Sequence, residues 1–140
     1  MTRVTITVPG DPVAWHRPRA GKGRVYTPAQ NRRYAERVQA AWMVEGRPWL
    51  GQAPLALRAR FAFGRPASHL RKDGRLRKGA PRFPPRTDLD NLWKAVTDPL
   101  EGLLFANDSQ IVSSASSKLY APDGEEPGVE LWFAAYDDTE

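Results

Sequence analysis

Thr87-Asp88-Leu89-Asp90-Asn91-Leu92-Trp93-Lys94-Ala95-Val96-Thr97-Asp98 is where the chain changes its period, and the elements around it are read from that change. Asp88 and Asp90 are two residues apart, a spacing that in an extended strand points both carboxylates the same way. Leu89, Trp93, Val96 and Leu100 then recur at steps of four, three and four, the stripe of a helix facing a core. Asp90, Lys94 and Asp98 follow at four-residue steps on another face. Thr87 or Asp88 can cap the helix, whose free amides favour nearby anions. The spacing predicts a helix over 88–104, bent near Asp98 by Pro99.

Charge is distributed unevenly around this stretch. Residues 51–86 carry ten Lys/Arg and one acid, whereas residues 87–140 carry two Lys and twelve Asp/Glu. The basic part can hold a polyanion and the carboxylates can hold a metal, so their adjacency is more informative than either alone. Mg2+ sites commonly use one or two carboxylates together with phosphate oxygens and water. Asp88, Asp90 and, from a separate element, Asp108 offer such ligands. Lys94, a turn beyond Asp90, can stabilise developing negative charge or orient an attacking water. The plainer reading is a solvated helix face on which Asp90 and Lys94 form an ordinary surface pair.

The whole chain of 140 residues carries a formal charge of +5 with a pI near 9.9, and its length suits one domain. It contains no cysteine, which removes disulfides and thiolate metal sites. Without a signal-peptide pattern or an apolar run approaching eighteen residues, cytoplasmic residence without a membrane partner is expected. No glycine-rich phosphate cradle occurs, so no nucleotide cofactor is expected.

In chain order, Val4, Ile6 and Val8 alternate with polar neighbours as in a half-buried strand. Residues 15–24 form a basic loop whose Arg17, Arg19, Lys22 and Arg24 suit phosphate contact, and His16 either joins them or has no role. Thr27, Pro28 and Gln30 read as a cap, a first helical residue and a capping-box partner, opening a helix to about Glu45. Tyr34, Val38, Ala41 and Trp42 form its apolar stripe, while Arg32, Arg33 and Arg37 meet DNA or solvent. A second strand spans Leu55–Phe63. The turn-rich loop after it carries eight Lys/Arg between Arg65 and Arg86. Among these, Arg71, Lys72, Arg75, Arg77 and Lys78 are the best candidates for DNA backbone contact; His69 in the same loop has no required role. Two further strands follow, Ile111–Leu119 and Val129–Tyr136. Helices packed against four strands give a two-layer α+β arrangement with two main helices.

The string DLDNLWKAVTDPLEGLLFANDSQIV, residues 88–112, resembles the signature of the RusA family of Holliday-junction resolvases. Looser similarity appears in Arg24-Val25-Tyr26-Thr27-Pro28 and at Lys118. The resemblance implies essential carboxylates at Asp88, Asp90 and Asp108, an essential lysine at Lys94, and supporting parts for Asn91, Asp98, Gln110 and Lys118. Asn107 stands where relatives usually have another Asp. Also implied are a mixed or largely antiparallel four-stranded sheet, Mg2+ (or Mn2+ in its place), branched DNA as substrate, and a homodimer. A two-fold dimer carries two centres that nick opposed strands in one encounter. Two other readings stay open: a non-catalytic nucleic-acid-binding module, and a metal-dependent nuclease acting on RNA or other DNA structures.

Overall fold

The computed structural model describes residues 3–16, 19–21, 24–26 and 28–137. Eight regular elements follow in order: β1 (Arg3–Pro9), β2 (Arg19–Gly21), β3 (Arg24–Tyr26), α1 (Ala29–Val44), β4 (Leu55–Phe63), α2 (Leu89–Thr97), β5 (Ile111–Tyr120) and β6 (Gly128–Ala135). Four strands make a mixed sheet in the order β1-β6-β4-β5. β6 runs antiparallel to β1 and β4, and β4 runs parallel to β5. A parallel pair needs a crossover, and the basic loop with α2 provides it.

Alternation decides which side of the sheet is covered. Ile6 and Val8 of β1, Leu55, Leu57, Ala59 and Phe61 of β4, and Val129, Leu131 and Phe133 of β6 are buried on one side. They meet Tyr34, Val38 and Ala41 of α1 and Leu92, Ala95 and Val96 of α2 in one core. Each fully buried large apolar side chain contributes roughly 1.5–3 kcal/mol, so these two helical faces hold the layers together.

Several boundaries differ from the sequence reading. Arg19–Gly21, within the stretch 15–24 read as loop, pairs antiparallel with Arg24–Tyr26 as β2–β3, with Arg19 opposite Tyr26 and Gly21 opposite Arg24. Pro28 occupies the N-cap of α1 rather than its first turn, and no side-chain capping bond forms; Thr27 lies outside the described residues. Proline at the N-cap offers a carbonyl but no side-chain acceptor, so the capping box does not close. α2 ends at Thr97 and passes into a 3-10 turn, Asp98–Leu100. Pro99 has no N–H for the helical ladder, which shortens the helix expected to reach 104. Its buried face comprises Leu92, Ala95, Val96 and Thr97, while Leu89 and Trp93 sit half-buried at the margin. The Trp93 indole N–H donates to Ser114 Oγ at 2.9 Å.

After β1 the chain turns at Gly10, with φ +93, a conformation open to glycine. A Cβ there would meet the Arg37 guanidinium, which donates to the Pro9 carbonyl and ties α1 to the strand end.

Tyr34 is 2% exposed, and its hydroxyl has no well-formed hydrogen bond among the described residues. Burial pushes its phenol far above the usual tyrosine range, against weaker opposing effects of Arg37 and the Val13 backbone. The folded state therefore holds this proton more tightly than the unfolded chain. Its contribution is present below about pH 10 and is lost as pH rises above that, by at most about 1.4 kcal/mol per pH unit. Tyr34→Phe should leave stability at pH 7 within about 1 kcal/mol and flatten the alkaline decline, measured by urea unfolding from pH 8 to 11. An unchanged alkaline slope would assign that decline to other groups.

Candidate metal centre and nucleic-acid interface

α2 begins where extended backbone turns helical. Asp88 is its N-cap, with φ −78 and ψ 138, and Asp90 lies in the first turn. Both are exposed. Because the backbone changes conformation between them, the strand rule that aligns residues i and i+2 does not carry across the pair. Asp88 borders a hollow of about 300 Å3 together with Trp15, His16, Arg86 and Asn91.

Four hydrogen bonds hold this helix start and the segment packed beside it. Lys118 Nζ donates to the Thr87 carbonyl at 2.6 Å, fixing the residue before Asp88 to β5. The Trp15 backbone N–H donates to the Asn91 carbonyl at 2.9 Å. Asn31 of α1 accepts from the His16 N–H at 3.2 Å and donates to the Ala14 carbonyl at 2.9 Å. Asn31 is a buried polar residue that the sequence reading did not single out, and its only signal was an amide on the apolar face of a helix. Lys94 Nζ lies 4.5 Å from the centre of the Trp15 ring, so the clamped segment also positions the lysine.

At the other end of α2, Asp98, Glu101 and Asp108 bring carboxylate oxygens within 4.8 Å of one another. Among the described residues this is the group of three that can hold a metal ion. It contains Asp108 but neither Asp88 nor Asp90, and a nine-residue helix spans about 13 Å. Although the Asp98 side chain is exposed, partial desolvation raises its carboxyl above the usual range. Lys94 opposes the shift, and Asp108 and then Glu101 add to it. Clustered carboxylates suit a hard divalent cation with oxygen ligands. The sequence reading did not name Glu101, although its place three residues after Asp98 keeps the two side chains near each other in the 3-10 turn that ends at Glu101.

Asp108 is held from behind. Asn107 caps its short 3-10 turn by accepting from the Ser109 N–H at 2.9 Å. Gln110, only 8% exposed, accepts from the Ala106 and Asn107 N–H groups at 2.8 and 2.9 Å. Its amide donates to the Gly51 and Ala53 carbonyls at 3.1 and 2.8 Å. Gln110 thus joins the Asp108 turn to the loop before β4.

The basic loop is a folded hairpin. Leu70 bridges Leu76, the Arg71 N–H donates to the Arg75 carbonyl at 2.7 Å, and the turn passes through Asp73 and Gly74. Its base rests on Tyr120 of β5, with the Arg65 guanidinium 4.2 Å from the ring centre and His69 meeting it edge-on at 5.5 Å. Arg71 pairs with Asp73 at 3.2 Å and Arg77 donates to the Leu70 carbonyl. Lys72, Arg75 and Lys78 are exposed beside them. Arg17 and Lys22 lie outside the described residues, and Arg19 and Arg24 are described through their backbones in β2 and β3.

Residues 9–132 match the family model described as endodeoxyribonuclease RusA. The chain is also similar to a Bacillus subtilis (strain 168) protein described as uncharacterized protein YqaN, with 30% identity over 138 residues. That match covers 94% of this chain and 95% of the relative. No helix among the described residues is long and apolar enough to cross a membrane.

Gln110→Leu keeps much of the side-chain volume but leaves four backbone groups without their partner. A loss of about 2–4 kcal/mol in urea unfolding is expected; a loss below about 0.5 kcal/mol would show that these groups are satisfied otherwise.

Proposed function

Because the chain belongs to the endodeoxyribonuclease RusA family, we propose that it resolves four-way DNA junctions by paired, divalent-metal-dependent hydrolysis, as a homodimer. The observation that carries this reading is the physical continuity between cations and carboxylates. The basic hairpin rests on Tyr120, and two residues earlier on the same strand Lys118 holds Thr87 ahead of Asp88. DNA gripped by the hairpin is thereby referred to the start of α2.

Asp98, Glu101 and Asp108 would hold one Mg2+ or Mn2+, while Asp88 and Asp90, a helix length away at the start of α2, would offer carboxylates to a second ion or to water ordered by the DNA phosphates. Sites for Mg2+ routinely combine few protein carboxylates with substrate oxygens and water. When bound, the ion supplies charge stabilisation at the phosphoryl group and acidifies a water. Lys94, steadied over Trp15, places its ammonium beside the acids and stabilises negative charge developing on the phosphate. Arg75, Lys72 and Lys78, with Arg71 and Arg77, neutralise backbone phosphates without reading sequence. Asn91 and Gln110 act by position, through the Trp15 contact and the Asp108 turn. The junction preference rests on family membership.

The test offers labelled four-way junction, matched duplex and single-stranded RNA to the protein with Mg2+ or EDTA. Paired nicks confined to the junction are expected with Mg2+. Asp90→Ala and Asp108→Asn should each lower cutting at least about 1,000-fold while junction binding persists. Tight junction binding without cutting in Mg2+ or Mn2+ would leave a binding module, and cleavage of RNA or duplex would overturn the substrate. Arg75→Ala with Lys78→Ala should weaken junction binding and lower the slope of log affinity against log salt by about one per lost phosphate contact.

A further inference from the structure

The helices cover one side of the sheet, and the other side carries a patterned surface of its own. Cross-strand register places Thr5, Trp132, Arg58 and Ala115 in one row. The row on one side of it holds Arg3, Ala134, Ala56 and Ser113, and the row on the other holds Thr7, Glu130, Arg60 and Ser117. Trp132 is the one aromatic in these rows and stands on a floor of small side chains. A hollow of about 490 Å3, bordered by Arg3, Arg58 and Ser113, opens on one side of it. A second of about 360 Å3, bordered by Arg58, Arg60 and Ser117, opens on the other.

Arginines outnumber acids in these rows. Glu130 is the only acid in the three rows, and it is engaged by Arg60 at 3.5 Å, with Glu125 on the same guanidinium at 3.4 Å. Arg3 and Arg58 are exposed and have no ion pair among the described residues. A surface that exists only to be solvated would suit mixed charges, whereas an indole flanked by two hollows, unpaired guanidinium groups and hydroxyls has a more particular fit. We infer that this face binds single-stranded nucleic acid, with bases stacking against Trp132 and Arg3 and Arg58 meeting the phosphates. Stacking on an aromatic side chain accepts any base, and arginine adds charge and planar contact. Four strands about 4.8 Å apart span roughly 14 Å, enough for a short run of nucleotides. Serine and threonine hydroxyls along the rows supply further donors to the backbone. The surface lies across the sheet from the carboxylate group, so it is separate from the cutting centre.

The experiment titrates the full chain with a fluorescent oligothymidylate in EDTA and photocrosslinks a 5-iodouracil version, mapping the adduct by mass spectrometry. Crosslinking at Trp132 is expected. Trp132→Ala should bind about tenfold more weakly, with Trp132→Phe retaining most of the affinity. Arg58→Ala should weaken binding several-fold and lower the salt slope by about one. None of these variants should alter junction cutting. If Trp132→Ala does not fold, the Arg58→Ala titration and the crosslink position decide the matter. Equal affinity of the folded variants, or a crosslink confined to residues 65–86, would overturn the inference. So would conversion of a dimer to a monomer by Trp132→Ala in sedimentation, since a second copy would then cover the face.

Discussion

Burial of Leu92, Ala95 and Val96 against the sheet is the constraint from which the candidate site follows. A helix that commits this stripe to the core has no choice about its remaining faces. Asp90, Lys94 and Asp98, at four-residue steps, all remain exposed. Keeping several charged groups in water avoids a desolvation cost of several kcal/mol per ion. The same packing fixes the two ends of α2, so its N-terminus faces the segment ending at His16 and its C-terminus meets the Asp108 turn. Rotation of the helix by one residue would exchange apolar and charged positions together.

Around that helix the polar contacts serve position more than net stability. A hydrogen bond contributes about 1 kcal/mol on balance, but a buried group left unpaired costs more. Asn31 and Gln110 exploit this asymmetry. Each is buried and binds backbone from segments distant in sequence, and a displaced segment would leave those groups unsatisfied. Lys118 does the same for Thr87 from β5. The acids themselves are exposed, so their geometry is set from behind by these clamps and by the Trp15–Lys94 contact.

The charge asymmetry of the chain becomes a spatial one. The basic hairpin is folded on Tyr120 before any partner arrives, which reduces the ordering entropy that a free loop would lose on binding. The acids sit along α2 and the turn after it, where a bridging cation would let a polyanion approach. Across the sheet, arginines and Trp132 form a second basic surface, on which Glu130 and Glu125 are engaged by Arg60.

Much of this was legible in the amino-acid sequence because it depends on local period and chemistry. The alternation of Leu55–Phe63 marks β4 at its observed bounds, and Asp88, Asp90, Lys94 and Asp108 stand out by residue type and spacing. β2–β3 is too short to show a period, and Asn31 and Gln110 gain their importance from backbone partners more than ten residues away in the chain. The partnership of Asp98, Glu101 and Asp108 likewise belongs to the tertiary structure. It needs Leu104 and Phe105 to be drawn into the core and the Asp108 turn to be pinned by Gln110, so that Asp108 reaches Asp98 and Glu101. Sequence alone determined the longer elements and which chemistry their side chains offer, since both arise within a few residues. Strand order, and which carboxylates meet, were decided by core packing, because the burial that selects them is shared among segments far apart in the chain.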